Sequence, residues 1–262
     1  MDQITSKDNK FVKEYVKLSS SKSYRQEKGM FVVESVKLIQ EAFENGVKLE
    51  MVFVTATCFA KKAQELEKLF QTQKCFEISP EIEKKMSQAK SSQGIFAICR
   101  VVDNSLKTDT IYHNGKYVML VDLQDAGNVG TIIRTAEAVG IDGIILTKST
   151  CDLLNPKVIR GSMGSIFRMP TLIIEDEISF LSELNAKGVT TYASVLDNDA
   201  KELSTVSFGN PCVLLIGNEG NGLSADVSNI CSEKITIKMN GNAESLNASM
   251  AACILMYEAT KS

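Results

Sequence analysis

The sequence predicts an α/β protein in two parts: a small alternating unit in front and a larger, mostly parallel one behind it. Three observations carry that expectation. Strand-sized apolar runs alternate with helix-period segments along nearly the whole chain. The alternation stops once, at the polar and aperiodic stretch DNSLKTDTIYHNGK over residues 103–116, and then restarts. A chain of 262 residues that is 44% hydrophobic and 23% charged is also long enough to bury two cores.

In the front part, residues 30–33 read as a strand. The helix that follows carries Val36, Leu38, Ile39, Ala42 and Phe43 on its apolar side and stops at Asn45-Gly46. A strand at 51–55, a helix at 59–70, a short strand at 75–78, a helix after Pro80 and a strand at 94–101 complete the unit. This sets a small α/β domain at 1–105, a linker at 106–116 and a second domain at 117–262. In the second domain, residues 117–122, 143–147, 171–174, 190–195, 212–216 and 234–238 read as strands. Residues 129–139, 156–165 (after an Asn155 cap), 178–186 and 246–260 read as helices. Strands bounded by helices imply a mostly parallel sheet covered on both faces.

Charge is unevenly spread. Residues 1–105 carry 17 Lys+Arg against 14 Asp+Glu, and residues 106–262 carry 12 against 18. Residues 7–28 hold Lys7, Lys10, Lys13, Lys17, Lys22, Arg25 and Lys28 against Asp8, Glu14 and Glu27. Such a run is either a solvated helix face or a surface that follows a phosphate backbone, with Tyr24 available to stack. A basic front on an acidic back fits one domain that holds a polyanion and another that does chemistry.

Other classes are disfavoured. No apolar run approaches bilayer length, and MDQITSKDNK lacks the apolar core of a secretory signal, so a cytoplasmic protein without a membrane partner is expected. The seven cysteines are odd in number and contain no CxxC, which favours buried reduced thiols over disulfides or metal ligands. The single histidine, His113, reads as a solvated linker residue. A histidine metal site or a Ser-His-Asp hydrolase would have few parts to work with, so no metal is expected.

Chemistry is expected beyond the carboxyl ends of the strands. Three strand-to-helix loops there are rich in Gly, Asn and small polar residues. The first is DLQDAGNVGTIIR over 122–134. Asn128 is a candidate N-cap, and Arg134 is either a surface arginine or a bidentate phosphate ligand. The second, GNEGNGL over 217–223, sets three glycines around Glu219 and lets backbone approach a ligand closely. It matches neither GxGxxG nor GxxxxGK[ST], which disfavours a nicotinamide or ATP enzyme. The third, IKMNGNAESLNAS over 237–249, offers Ser245 or Asn247 as caps for a helix that is apolar over much of its circumference, as in a core or a subunit interface.

Taken together, GN-x-G-x-x-x-R, GNEGNGL and I-K-M-x-G-x-x-E-S-L-N-x-S, in this order, resemble the three motifs of the SpoU (TrmH) family of RNA 2′-O-ribose methyltransferases over roughly residues 117–260. The residues before them resemble the small RNA-binding domain that many members carry. The resemblance implies a SPOUT methyltransferase domain with a deep C-terminal trefoil knot, S-adenosylmethionine as methyl donor, a homodimer, and RNA as substrate. Ribosomal RNA of the large subunit is preferred over transfer RNA. By position it places Gly217, Ile237, Leu246, Met239 and Leu196 against the cofactor. It places Asn128, Arg134, Glu219, Ser245 and Asn247 in the polar catalytic or RNA-positioning set. The sequence departs from the pattern at Lys238, where the family usually has proline, and at Glu34-Ser35, where relatives often have Glu-Gly. Two other readings stand beside this one: an RNA-binding protein of the same fold that has lost catalysis, and a Rossmann-type small-molecule enzyme, against which the missing fingerprint counts.

Overall fold

In the computed structural model, which describes residues 1–197 and 199–261, the chain packs into two units. Unit 1 is Met1–Asp103 with Asp152–Phe167; unit 2 is Asn104–Cys151 with the chain from Arg168 on.

Unit 1 begins with β1 (Asp2–Ile4), α1 (Lys10–Ser20) and α2 (Lys22–Lys28). Asn9 and Ser21 cap the two helices through side-chain oxygens, and Gly29, at φ 59°, ends the second in the left-handed conformation that glycine adopts without strain. The basic run at 7–28 is therefore largely helical. Its Val12, Tyr15 and Leu18 are buried, with the Tyr15 ring edge-on to Phe53 and Phe96 at 6.2 and 5.6 Å. There follow β2 (Met30–Glu34), α3 (Val36–Glu44), β3 (Leu49–Thr55), α4 (Ala56–Lys62), α5 (Glu67–Thr72), β4 (Cys75–Ile78), α6 (Pro80–Met86) and β5 (Ile95–Arg100). The helix expected at 59–70 is thus two helices. No glycine or proline marks the break, which lets Leu66 and Leu69 both reach the core. The sheet order is β1-β4-β3-β5-β2, with β5 antiparallel to both neighbours.

Unit 2 opens with α7 (Thr108–His113), β6 (Lys116–Leu120), α8 (Ala126–Val139) and β7 (Gly143–Thr147). The segment 106–116, expected as a linker, instead contributes Leu106 and Ile111 to the unit 2 core, while His113 is exposed at the end of α7. The chain then re-enters unit 1 for α9 (Pro156–Ser162), which the sequence reading had set among the elements of 117–262. The segment packs on β2 and is tied down by an ion pair. Arg25, a member of the basic run, is only 3% exposed. Its Nε and one terminal nitrogen donate to Asp152 Oδ2 at 2.8 and 2.6 Å, and the other to Leu18 O at 2.7 Å. Within the same segment the Phe167 ring lies 6.1 Å from Phe31.

Unit 2 resumes with β8 (Thr171–Ile174), α10 (Glu177–Ala186), β9 (Thr190–Ser194), β10 (Lys201–Glu202), β11 (Cys212–Ile216), α11 (Ala225–Ile230), β12 (Glu233–Thr236) and α12 (Ala248–Lys261). The sheet order is β10-β12-β9-β11-β6-β7-β8, and every pair is parallel. Met119, Ile145 and Leu215 pack on one face with Leu181, Leu184 and Val227 from α10 and α11. On the sheet, α8 packs against β7, α12 against β6 and β11, and the two helices pack against each other. All strands run the same way, so the loops after β6, β9, β11 and β12 gather at one edge.

All seven cysteines are free thiols, with Cys58, Cys99 and Cys212 buried. Among the described residues, no helix is long and apolar enough to cross a membrane.

Candidate functional site

The loop after β6 turns at Asp122, whose φ of 56° is left-handed. The turn is held by hydroxyls: Thr147 Oγ1 donates to Asp122 Oδ1 at 2.8 Å and accepts the Asp122 N–H at 3.0 Å, and the Ser149 hydroxyl donates to the same carboxylate. The helix then starts three residues earlier than expected. Asp125, not Asn128, is the N-cap of α8, its Oδ1 accepting the Asn128 N–H at 2.9 Å. A carboxylate at a helix start satisfies a free N–H and complements the helix dipole, so Asp125 outcompetes the asparagine inside the first turn. Asn128 is freed for another task. Buried to 8% exposure, it donates its side-chain N–H to Glu219 Oε1 at 3.0 Å.

Glu219 belongs to the loop after β11 and braces the first loop against it. Besides Asn128, its carboxylate accepts the backbone N–H groups of Asp125 at 3.0 Å and Gln124 at 3.1 Å. Partial burial pushes this carboxyl up. The donors from Asn128, Gln124, Asp125 and its own backbone outweigh that and hold it below its ordinary value.

Within the Gly217–Leu223 loop, Asn218 uses every polar group it has. Its N–H and C=O pair with Gly222 at 3.1 and 2.9 Å, its Oδ1 accepts from Gly220 and Asn221 at 2.9 and 3.2 Å, and its Nδ2 donates to Asp122 O at 2.8 Å. The loop folds so tightly that a Cβ on Gly217 would lie 2.3 Å from the Gly222 carbonyl carbon. Only glycine fits there.

In the third loop Asn247, not Ser245, caps α12, its Oδ1 accepting from the Ser249 N–H at 2.9 Å and hydroxyl at 2.7 Å. Ser245 instead lines a cavity of 480 Å³ walled by Leu196, Gly217, Glu219, Ile237, Met239 and Leu246, among others. Apolar side chains on one side and open backbone on the other suit a small ligand of mixed polarity, and the volume falls in the usual range for such sites.

The ten residues singled out from the sequence therefore fall into three groups. Gly217, Ile237, Leu246, Met239 and Leu196 line the cavity together with Glu219 and Ser245. Asn128 and Asn247 stand behind its loops and hold them. Arg134, exposed on α8 one and a half turns past Asn128, does not line the cavity and has no hydrogen-bond or ion-pair partner among the described residues. Sequence reasoning missed Asp122, Asp125 and Asn218. Asp125 and Asn128 are both eligible N-caps by residue type, so the local sequence does not choose between them; Asn after Gly in a turn was the local signal for Asn218. Lys238, the departure from the family pattern, extends its Nζ to Glu202 Oε1 at 2.6 Å. Among the described residues, no group of three or more His, Cys, Asp or Glu could hold a metal ion.

Comparison with known proteins agrees with this geometry. The family model described as the SpoU rRNA Methylase family matches residues 115–257, and an MRM3-like substrate binding domain matches residues 9–97. The chain is 32% identical to the 23S rRNA (guanosine(2553)-2′-O)-methyltransferase RlmP of Bacillus subtilis, over 98% of both chains. Among solved structures, the AdoMet-bound rRNA methyltransferase of Sinorhizobium meliloti superposes with a TM-score of 0.85 at 28% identity, covering 99% of this chain and 97% of that one. The SpoU methyltransferase AviRb of Streptomyces viridochromogenes, in complex with AdoMet, gives a TM-score of 0.82 at 26% identity over 97% of each chain. With three motif loops at one edge of a parallel sheet and a match that spans more than half its length, the chain belongs to the SpoU rRNA methylase family.

Proposed function

We propose that this protein transfers a methyl group from S-adenosylmethionine to a ribose 2′-hydroxyl of RNA, and that the RNA is ribosomal RNA of the large subunit. The observation that carries the reading is the loop cluster itself: a glycine-walled 480 Å³ cavity bound through Glu219 and Asn128 to the helix that bears Arg134. The residues fit the donor. Leu196, Ile237, Met239 and Leu246 offer apolar surface for its adenine and methionine chain, and the Gly217–Leu223 backbone offers donors and acceptors where no side chain intrudes. When bound, the donor supplies an electrophilic methyl on a sulfonium.

This chain's own residues then have three tasks. The braced loops fix the position of the methyl, which matters because an in-line displacement gains most of its rate from alignment. Arg134, exposed and unpaired, is placed to hold a phosphate next to the target ribose through two parallel hydrogen bonds. The hydroxyl must lose its proton as the new C–O bond forms. Arg134 stays protonated in almost every protein setting and acts as an electrostatic clamp, not as a base. Glu219 is already committed to three donors. The proton therefore passes to a phosphate oxygen of the RNA and on to water. Arg134→Ala is expected to abolish methyl transfer while leaving S-adenosylmethionine affinity within about two-fold of native by calorimetry; normal turnover in that variant would remove arginine from the mechanism.

The trefoil knot and the homodimer belong to the same proposal. Met250, Ile254 and Tyr257, spaced four and three residues apart on α12, are 50%, 40% and 54% exposed, and an apolar stripe at helical spacing is the kind of surface a second copy covers. Sedimentation at twice the chain mass checks the dimer, and a monomer mass contradicts it. A cytoplasmic location follows from the ribosomal substrate.

A further inference from the structure

The proposed catalytic loops lie wholly in unit 2, which carries 10 Lys+Arg against 17 Asp+Glu. A polyanion is poorly attracted to such a surface. Unit 1 carries 19 against 15, and its exposed charge is not evenly spread.

Two lysines from different helices converge on one ring. Lys17 of α1 places its ammonium 3.9 Å from the Tyr24 centroid, and Lys28 of α2 places its own 5.5 Å from the same centroid. The two charges are therefore at most 9.4 Å apart, the sum of those distances. Tyr24, offered by the sequence as a stacking residue, carries the Lys17 ammonium over its ring. Its hydroxyl donates to Glu14 Oε2 at 2.7 Å, a bond that also pushes the hydroxyl up to about 12. That bond enriches the ring in electrons and occupies the carboxylate, so both effects favour the cations.

The remaining acids nearby are also engaged. Glu27 pairs with Lys28 at 3.2 Å, and Asp8 pairs with Lys13 at 3.0 Å. Among the described residues Lys17 has no carboxylate partner, nor do exposed Lys22 and Lys90. Lys90 follows a segment tied to unit 1: Gln88 Nε2 donates to Ser19 O at 3.2 Å, and buried Glu34 accepts the Ser87 hydroxyl and the Gln88 N–H. Two serine- and lysine-rich tracts, Ser19 to Ser23 and Ser87 to Ser92, thus meet at one end of α1.

We propose that Lys17, Lys22, Lys28 and Lys90 form a phosphate-binding face of unit 1 that grips the RNA backbone, with Tyr24 setting the spacing of two of its charges. The proposal rests on the RNA reading above and adds where unit 1 holds that substrate. Free solvated lysines would splay apart to reduce repulsion, whereas Lys17 and Lys28 are gathered on one aromatic ring.

The test measures binding of an in vitro 23S rRNA transcript to the full chain across a potassium chloride series, for the native protein, Lys17→Gln/Lys28→Gln, and Lys10→Gln/Lys74→Gln. The last pair lies over Phe11 and removes the same net charge. Losing two phosphate contacts should make the slope of log affinity against log salt shallower by about 1.4 to 1.8 and raise Kd about 5- to 30-fold at 0.1 M salt. The control pair should shift both far less, and S-adenosylmethionine affinity should be unchanged in all three. Equal effects in the two double variants, or none in Lys17→Gln/Lys28→Gln, would overturn this face while leaving the methyltransferase reading intact. A native protein that binds no transcript at any salt would overturn both.

Discussion

Gly217→Ala is the sharpest perturbation of the proposed cofactor loop. An added Cβ would sit 2.3 Å from Gly222 C, 2.4 Å from Leu223 N and 2.6 Å from Gly222 O, all of them backbone atoms that no rotamer change can move. Carbon atoms rest near 3.5–4.0 Å, so the facing strand of the loop must retreat by about 1.2–1.7 Å. That displacement breaks the paired hydrogen bonds between Asn218 and Gly222, now 3.1 and 2.9 Å, and takes Glu219 with it. Overpacking of this kind costs about 1–3 kcal/mol. If it falls on the bound state, S-adenosylmethionine affinity drops about 5- to 140-fold, since each 1.4 kcal/mol is a factor of ten. If it falls on folding, the thermal midpoint drops by about 2–4 °C per kcal/mol. Gly220→Ala is the internal control, because its Cβ would meet only Asn218 Oδ1, at 3.5 Å, which is ordinary contact. Calorimetric titration and thermal unfolding of both variants test the reasoning. A Gly217→Ala protein that matches Gly220→Ala in both S-adenosylmethionine affinity and thermal midpoint would refute it.

Two further perturbations follow from the same geometry. Because its donors hold the Glu219 carboxyl below the ordinary 4.5, the brace is present at neutral pH and is lost as pH falls through the depressed value. Native protein should therefore lose S-adenosylmethionine affinity below about pH 4.5, while Glu219→Gln should be weaker at pH 7 and nearly flat with pH; parallel curves would show that Glu219 is not the titrating brace. In unit 1, Asp152→Ala leaves the Arg25 guanidinium, 3% exposed, with Leu18 O as its remaining acceptor among the described residues, and should destabilise the protein by about 3–5 kcal/mol in urea unfolding. A loss under 1 kcal/mol would mean that the ion pair does not anchor the 152–167 segment.

What the sequence revealed and what it hid divide along physical lines. The central strands β6, β7 and β11 were legible because strands buried on both faces must be apolar throughout. The three loops were legible because their glycines and asparagines are demanded by local backbone geometry. β1 and β10, three and two residues long, carry too little pattern to be read. Residues 152–167 belong to unit 1 through Arg25 and Asp152, partners 127 positions apart, and no local periodicity encodes such a contact. The true cap of α8 was missed for a related reason: Asn128 is a good cap in isolation, and only its bond to Glu219, 91 residues away, explains why Asp125 takes the role instead. Asn218 likewise acts through Asp122, 96 residues earlier, so its importance is tertiary.

The central claim, methylation of a ribose 2′-hydroxyl in ribosomal RNA, is tested most directly by transferring labelled methyl from S-adenosylmethionine into unmethylated total RNA, separating ribosomal from transfer fractions, and digesting each to nucleosides. A single 2′-O-methyl nucleoside recovered from the large ribosomal RNA is the predicted result. Label on a base, label confined to transfer RNA, or no label from a protein that binds S-adenosylmethionine would contradict it.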